Sequence, residues 1–124
     1  MLTKILAKGI ASKTYRTGNR TKEKALEKAK ELMLKDFIRI GDIQDIEYIK
    51  TNGLYDVKLK GEFRIELYDD AKTTEDARKV FEHMTRNVDM DTLEFTEVYV
   101  VDINNFVENE NFLYFRTERP TNNE

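Results

Sequence analysis

Apolar and charged residues alternate along the segment from Leu54 to Tyr68. The odd-numbered residues are apolar except for Gly61, and the even-numbered residues from Asp56 to Glu66 are all charged. A period of two predicts a long β-strand with one buried face and one wet face. We expect Gly61, at the centre of the segment, to mark a bulge or a bend.

Two other segments have the spacing of amphipathic helices. The first runs from Thr21 to about Arg39, and the second runs from Thr73 or Thr74 to near Asn87. Threonine is a good N-cap because its hydroxyl accepts a hydrogen bond from a free N–H group of the first turn. The helices and the long strand together predict a core of ten residues: Leu26, Ala29, Leu32, Val57, Leu59, Phe63, Ile65, Val80, Phe81 and Met84.

The remaining apolar segments predict further strands at 2–13, 43–50, 93–103 and, as a short C-terminal strand, 111–116. Asn52 and Gly53 separate the strand at 43–50 from the long strand. Asn-Gly between two strands favours a type I′ turn, which needs positive φ at both positions, and therefore predicts an antiparallel hairpin. The predicted loops are 12–20 and 104–110.

An offset of 52 residues aligns the chain weakly with itself, pairing Lys8-Gly9 with Lys60-Gly61 and Thr21 with Thr73. Each half then has the order strand, helix, strand, which indicates either an internal duplication or a chance match of two similar patterns. The expected fold class is α+β: a two-layer ferredoxin-like βαββαβ sandwich with a short extra C-terminal strand. We expect one α+β domain over residues 1–117 and a polar C-terminal tail over residues 118–124.

Composition narrows the classes of function. The chain of 124 residues has no cysteine and one histidine, His83, which excludes thiolate chemistry and a histidine-rich metal site. No apolar run reaches the roughly 18 residues of a membrane span. The acidic pairs fall in predicted loops without a catalytic partner. We therefore expect a cytoplasmic protein that is not an enzyme and has no cofactor, no metal and no membrane contact.

Charge is unevenly placed along the chain. Residues 1–41 hold 11 Lys/Arg and 4 Asp/Glu, whereas residues 42–124 hold 10 and 20. The basic segment 13–22 leads into the N-terminus of the first helix, where free N–H groups attract anions. It predicts a site for phosphate or nucleic acid formed by Lys13, Tyr15, Arg16, Arg20 and Lys22. RNA-binding modules of this topology stack bases on open-face aromatic residues, and the long strand's charged positions offer none.

Aromatic and branched residues near the C-terminus predict a protein interface. The strand at 93–103 is apolar on both faces around its centre, and further aromatic residues follow it. These aromatic residues either close over the open sheet face within the chain or pack on a partner. The interface residues we expect are Val98, Val100, Phe112, Tyr114 and Phe115.

The expected function is that of a small regulatory protein that binds other proteins. It would act by occupying the surface of a partner, as phage-encoded inhibitors of host machinery do, and would form a homodimer. The alternative is binding of nucleic acid or another phosphoanion through residues 13–22. Salt dependence separates the two, because contacts to phosphates release counterions and weaken steeply with added salt.

Overall fold

The computed structural model describes residues 3–101 and 111–116. The predictions for residues 104–110 and for the tail lie outside these ranges. Within them the chain forms six strands and two helices: β1 (Thr3–Asn19), α1 (Lys22–Asp36), β2 (Phe37–Arg39), β3 (Asp45–Thr51), β4 (Leu54–Asp69), α2 (Thr74–Thr85), β5 (Thr92–Val101) and β6 (Leu113–Phe115).

The strands form one mixed sheet in the order β2-β6-β4-β1-β5, and β3 pairs with the first half of β4. All pairs are antiparallel except β4 with β6, which is parallel. The protein is therefore α+β and consists mostly of strands. Its order along the chain differs from the predicted βαββαβ order, because β2 intervenes between α1 and the hairpin.

The predicted hairpin is confirmed. β3 and β4 pair in antiparallel register from Thr51↔Leu54 outward. The connecting residues, Asn52 and Gly53, have φ values of 54° and 80°. Positive φ at both positions is what a type I′ turn requires, and its twist matches that of the two strands.

Both helices begin at their capping threonines, as expected. The side chain of Thr21 accepts a hydrogen bond from the backbone N–H of Lys24, and that of Thr73 accepts one from Asp76. The helices pack on the apolar face of β1 and β4 in one core. Of the ten predicted core residues, six are buried, and four lie partly buried against the core: Leu26, Leu32, Val80 and Met84.

The predicted end of the first helix near Arg39 is wrong. α1 ends at Asp36, and Phe37 turns into the extended conformation that begins β2. The ring of Phe37 is buried and lies 4.6 Å from the ring of Phe115 in β6. Gly41, which comes after β2, allows the backbone around Asn111 to approach closely, because a Cβ at Gly41 would overlap it.

The two strand glycines serve close contacts within the sheet and the core. In the register of β1 with β4, Gly61 lies opposite Ala11, and Gly9 lies opposite Phe63. A Cβ on Gly9 would overlap the ring of Phe63, and a Cβ on Gly61 would press on the side chain of Leu113. The absent side chains therefore admit Phe63 and β6.

The sheet face that points away from the helices is only partly wet. Arg64 is 8% exposed, and its Nε lies 3.0 Å from Oε1 of Glu66. Lys4 pairs with the same carboxylate at 3.6 Å, and the Tyr114 hydroxyl donates to it at 3.4 Å. The prediction that the charged face of β4 is exposed to solvent is therefore confirmed only in part. Around Arg64 and Glu66, side chains from β6 cover this face.

Candidate interaction surface

The predicted loop over residues 12–20 is wrong, because β1 continues to Asn19. Its pairing with β4 is regular to Tyr15 and resumes at Asn19 after an irregular stretch in which Gly18 has a φ of 59°. The backbone N–H groups of Thr17 and Gly18 donate to Oδ1 of Asp56 at 3.0 and 3.3 Å. The carboxylate therefore replaces the missing ladder bonds and keeps the bulged segment against β4.

The first two predicted anion-binding residues are engaged within the chain. Nζ of Lys13 lies 3.2 Å from Oδ2 of Asp36 and 3.7 Å from Oδ2 of Asp89. The hydroxyl of Tyr15, a buried residue, donates to the same oxygen of Asp36 at 2.9 Å. These contacts attach β1 to the end of α1.

The surroundings of the Tyr15 hydroxyl disfavour a negative charge. Burial raises the pKa of this phenol well above its ordinary value. The hydrogen bond to Asp36 raises this pKa further, as do the negative charges of Asp36, Asp91 and Asp89. An incoming phosphate would meet the same three carboxylates. The inner half of the basic segment therefore offers a poor site for an anion.

The outer half of the segment faces solvent. Arg16, Arg20 and Lys22 are all exposed. Nζ of Lys22 lies 5.4 Å from the ring centre of Tyr48 in β3 and 6.0 Å from that of Tyr55 in β4. The structure thus separates Lys22 from Lys13 and Tyr15 and places it beside the hairpin.

Two lysines and two tyrosines form a compact group there, which we call the tyrosine–lysine cluster: Lys22, Tyr48, Lys50 and Tyr55. The two rings meet edge to face at 6.3 Å, and Nζ of Lys50 lies 5.5 Å from the ring centre of Tyr55. Cations near aromatic faces contribute about 0.5–1 kcal/mol each at exposed sites. The cluster therefore presents positive charge and half-exposed aromatic surface at one end of the sheet.

The five predicted interface residues divide between the two faces of the sheet. Val98 and Phe115 are buried on the helix side, and Val100 is partly buried against the same core. Phe112 and Tyr114 lie on the other face, where Phe112 approaches Arg64 and Lys8. β6 lies between β2 and β4 and not beside β5, so the described residues 111–116 do not cover the strand at 93–103 within the chain. The alternative, that these residues pack on a partner, stays a prediction.

The exposed edge of the hairpin is a candidate interaction surface that the sequence analysis does not predict. Within the described residues β3 pairs only with β4, and all of its residues except Tyr48 are exposed. Ile46 is 43% exposed, Ile49 is 38% exposed, and Leu54 at the turn is 39% exposed. The sequence signal was present, because Ile46 and Ile49 have opposite parity and cannot both face one core.

The register of the hairpin determines which backbone groups of β3 point outward. A two-residue turn makes Thr51 and Leu54 a hydrogen-bonded pair, and such pairs recur at every second residue of an antiparallel ladder. The alternate residues, Ile46, Tyr48 and Lys50, therefore direct their N–H and C=O groups away from β4. A strand edge with free polar groups and exposed apolar side chains is a template for pairing with another strand.

Over the ranges 3–101 and 111–116, no three His, Asp or Glu residues come close enough together to hold a metal ion. His83 is an exposed residue of α2. None of the helices in the same ranges is both long and apolar enough to span a bilayer.

Comparison of the chain with models of protein families, with curated proteins and with solved structures finds no match.

Proposed function

We propose that this protein is a small protein-binding module, without catalytic activity of its own, that binds through the outer edge of β3. One observation carries the proposal. β3 is a seven-residue edge strand whose Ile46, Tyr48 and Lys50 direct backbone N–H and C=O groups outward, beside two exposed isoleucines. An extended segment of a partner would add to this edge as a further strand. Occupying a partner's segment in this way is also how a small inhibitor would act.

The energetics fit recognition by strand addition. The outward groups of three residues allow up to about six backbone hydrogen bonds, each with a net contribution of about 0.5–1.5 kcal/mol. Main-chain bonds supply affinity without sequence preference, so side chains must supply selectivity. Ile46 and the tyrosine–lysine cluster lie on the helix side of β3, whereas Glu47 and Ile49 lie on the other side. Each face of β3 therefore carries both an apolar and a charged side chain, and a partner strand with the same mixture on its two faces would complement it.

The experiment compares three baits in affinity capture: the wild-type protein, Lys50→Ala and Lys50→Pro. The N–H of Lys50 points outward, so proline there removes a donor from the free edge and leaves the bonds to β4 intact. We expect a partner that the wild type and Lys50→Ala retain and Lys50→Pro loses. Amide hydrogen exchange of the purified complex should then show protection at Tyr48 and Lys50. Capture that Lys50→Pro leaves unchanged, with protection elsewhere, would refute binding at this edge.

A second candidate function is binding of single-stranded nucleic acid, which the tyrosine–lysine cluster favours. Bases stack on tyrosine rings, and lysines beside the rings would contact the phosphates. Arg16 and Arg20 lie exposed on the segment that leads to Lys22. This version of the site omits Lys13 and Tyr15, whose charge and hydroxyl are engaged by Asp36.

The test of this candidate is the salt dependence of binding to a labelled single-stranded oligonucleotide. Replacing Lys22 and Lys50 together with alanine removes two phosphate contacts, so the slope of log K against log salt should become shallower by about 1.4. Lys72→Ala with Lys79→Ala, at exposed positions elsewhere, is the charge-matched control. Equal slopes for the two double variants would exclude the cluster as the site.

We also propose that the four long strands and two helices keep a ferredoxin-like split βαβ arrangement from an internal duplication. Two observations support this. These strands lie in the order β3-β4-β1-β5, and each neighbouring pair is antiparallel. The capping threonines of the two helices, Thr21 and Thr73, stand 52 positions apart and each accept from the N–H three residues later.

A further inference from the structure

We infer that the strand that adds to β3 is β3 of a second copy of this chain, in antiparallel register centred on Ile49. This inference rests on the proposed function, since it names the partner for the same edge. A two-fold axis perpendicular to the sheet would join the two copies into one continuous sheet. A symmetric dimer is the commonest assembly that covers a self-complementary surface.

The side chains of β3 restrict the register. A two-fold axis places residues of the same face opposite each other, so the register must be centred on one residue, which then lies opposite itself. Centring on Glu47 places two carboxylates opposite each other, and centring on Lys50 does the same with two ammonium groups. Like charges directly opposite are destabilising. Centring on Asp45 or on Ile46 also places carboxylates opposite each other, and centring on Thr51 pairs only the end of β3 with the turn. The registers centred on Tyr48 and on Ile49 remain.

The register centred on Ile49 gives the better pairs of the two. It places isoleucine opposite isoleucine on one face, and on the other face Lys50 opposite Tyr48 of the partner subunit, twice by symmetry. Glu47 then lies opposite Thr51. The register centred on Tyr48 instead sets Glu47 opposite Ile49 and Ile46 opposite Lys50, which joins apolar side chains to charges. Cross-strand pairs of apolar side chains and of a cation with an aromatic ring are favourable.

The backbone agrees with this choice. Tyr48 and Lys50 both direct their N–H and C=O groups outward, so in this register they form hydrogen-bonded pairs across the axis. Ile49 lies between these pairs, at a non-hydrogen-bonded position where opposite Cα atoms are about 4.5 Å apart. That separation lies within the range of roughly 4.4–6.8 Å that a disulfide spans.

The absence of cysteine from the chain makes a cross-linking test clean, because each single-cysteine variant has one thiol. The test variant is Ile49→Cys, and Ile46→Cys is its control at nearly equal exposure, 43% against 38%. In the proposed register the two copies of residue 46 are separated by about six residues, or roughly 20 Å. Both proteins are oxidised under the same conditions and separated on a non-reducing gel.

We expect Ile49→Cys to form a disulfide-linked dimer at least tenfold faster than Ile46→Cys, and Lys50→Pro added to Ile49→Cys to remove this advantage. The wild type should approach twice the mass of 14.7 kDa in a sedimentation concentration series. Equal cross-linking of the two cysteine variants, together with a wild type that sediments as a monomer throughout, would overturn the inference. If the dimer is overturned in this way but the affinity capture shows a different protein that the wild type retains and Lys50→Pro loses, the proposed function still holds. If Lys50→Pro leaves that capture unchanged, both the proposed function and the dimer are refuted.

Discussion

Truncation of Phe63 to alanine is the most direct test of how this sheet packs. Phe63 is fully buried at the centre of β4. Its ring meets Phe95 of β5 at 5.7 Å and Phe115 of β6 at 5.1 Å, both edge to face. Its ring also lies over Gly9 of β1, where no side chain could be accommodated. One side chain therefore connects three strands that are distant along the chain.

The expected loss of unfolding free energy for Phe63→Ala is about 4–5 kcal/mol. Phenylalanine-to-alanine changes in cores cost about 3–5 kcal/mol, and the cost is highest where the surroundings cannot collapse into the cavity. Here strand backbone bounds one side of the ring, and two aromatic contacts of about 0.5–1.5 kcal/mol each are lost. For a chain of this length the melting temperature should fall by roughly 15 °C.

Urea denaturation followed by far-ultraviolet circular dichroism measures this change. Phe63→Leu, which fills most of the cavity, should recover more than half of the loss, and Glu62→Ala on the exposed neighbouring position should change stability by less than about 0.5 kcal/mol. A cost below about 1 kcal/mol for Phe63→Ala would mean that the two faces of β4 have been assigned the wrong way round.

Three further variants test other parts of the structure. Tyr15→Phe should cost about 1–3 kcal/mol near neutral pH, since a buried hydrogen bond to a carboxylate is lost. Because the folded protein raises this phenol's pKa above its ordinary value near 10, the wild-type advantage should be complete below about pH 10 and decline above it in pH-dependent urea titrations. Gly61→Ala should destabilise the protein, and adding Leu113→Ala should make the Gly61 substitution less costly, as a double-mutant cycle would show. Thr73→Ala should cost about 1 kcal/mol through loss of the α2 cap, and Thr73→Ser should restore it in thermal melts.

The features that the sequence predicts well are local ones. Alternation in β4, the turn at Asn52-Gly53 and the two capping threonines each depend on residues within a few positions of one another. The end of α1 and the length of β1 depend instead on distant partners. Phe37 leaves the helix to pack on Phe115, and β1 extends past Tyr15 because Asp56 bonds its bulged backbone. Periodicity in the sequence carries no signal for either contact.

The candidate surface also combines local features, which the sequence predicts, with features that depend on distant residues, which it does not. The strand character of β3 and its hairpin can be predicted from the sequence. Its place at the edge of the sheet cannot, because it depends on long-range pairing: among the described residues β3 pairs with β4 alone, and β6 pairs with the second half of β4. Lys13, Tyr15 and Lys22 are close in sequence, and each is basic or aromatic. Their side chains nevertheless lie at opposite ends of α1. Lys13 and Tyr15 meet Asp36 at one end of α1, whereas Lys22, at the other end, meets Tyr48.

The two candidate functions draw on the same side chains and therefore exclude each other in one molecule. In the proposed dimer, Tyr48 would lie opposite Lys50 of the partner subunit, and stacking of a base on Tyr48 would require that pair to separate. Binding of an oligonucleotide must then shift the dimer toward the monomer by the same factor by which dimerisation weakens oligonucleotide binding, because the two equilibria are linked. Sedimentation of the wild type with increasing single-stranded oligonucleotide measures the shift. A protein that stays dimeric at saturating oligonucleotide would show that nucleic acid binds away from the tyrosine–lysine cluster.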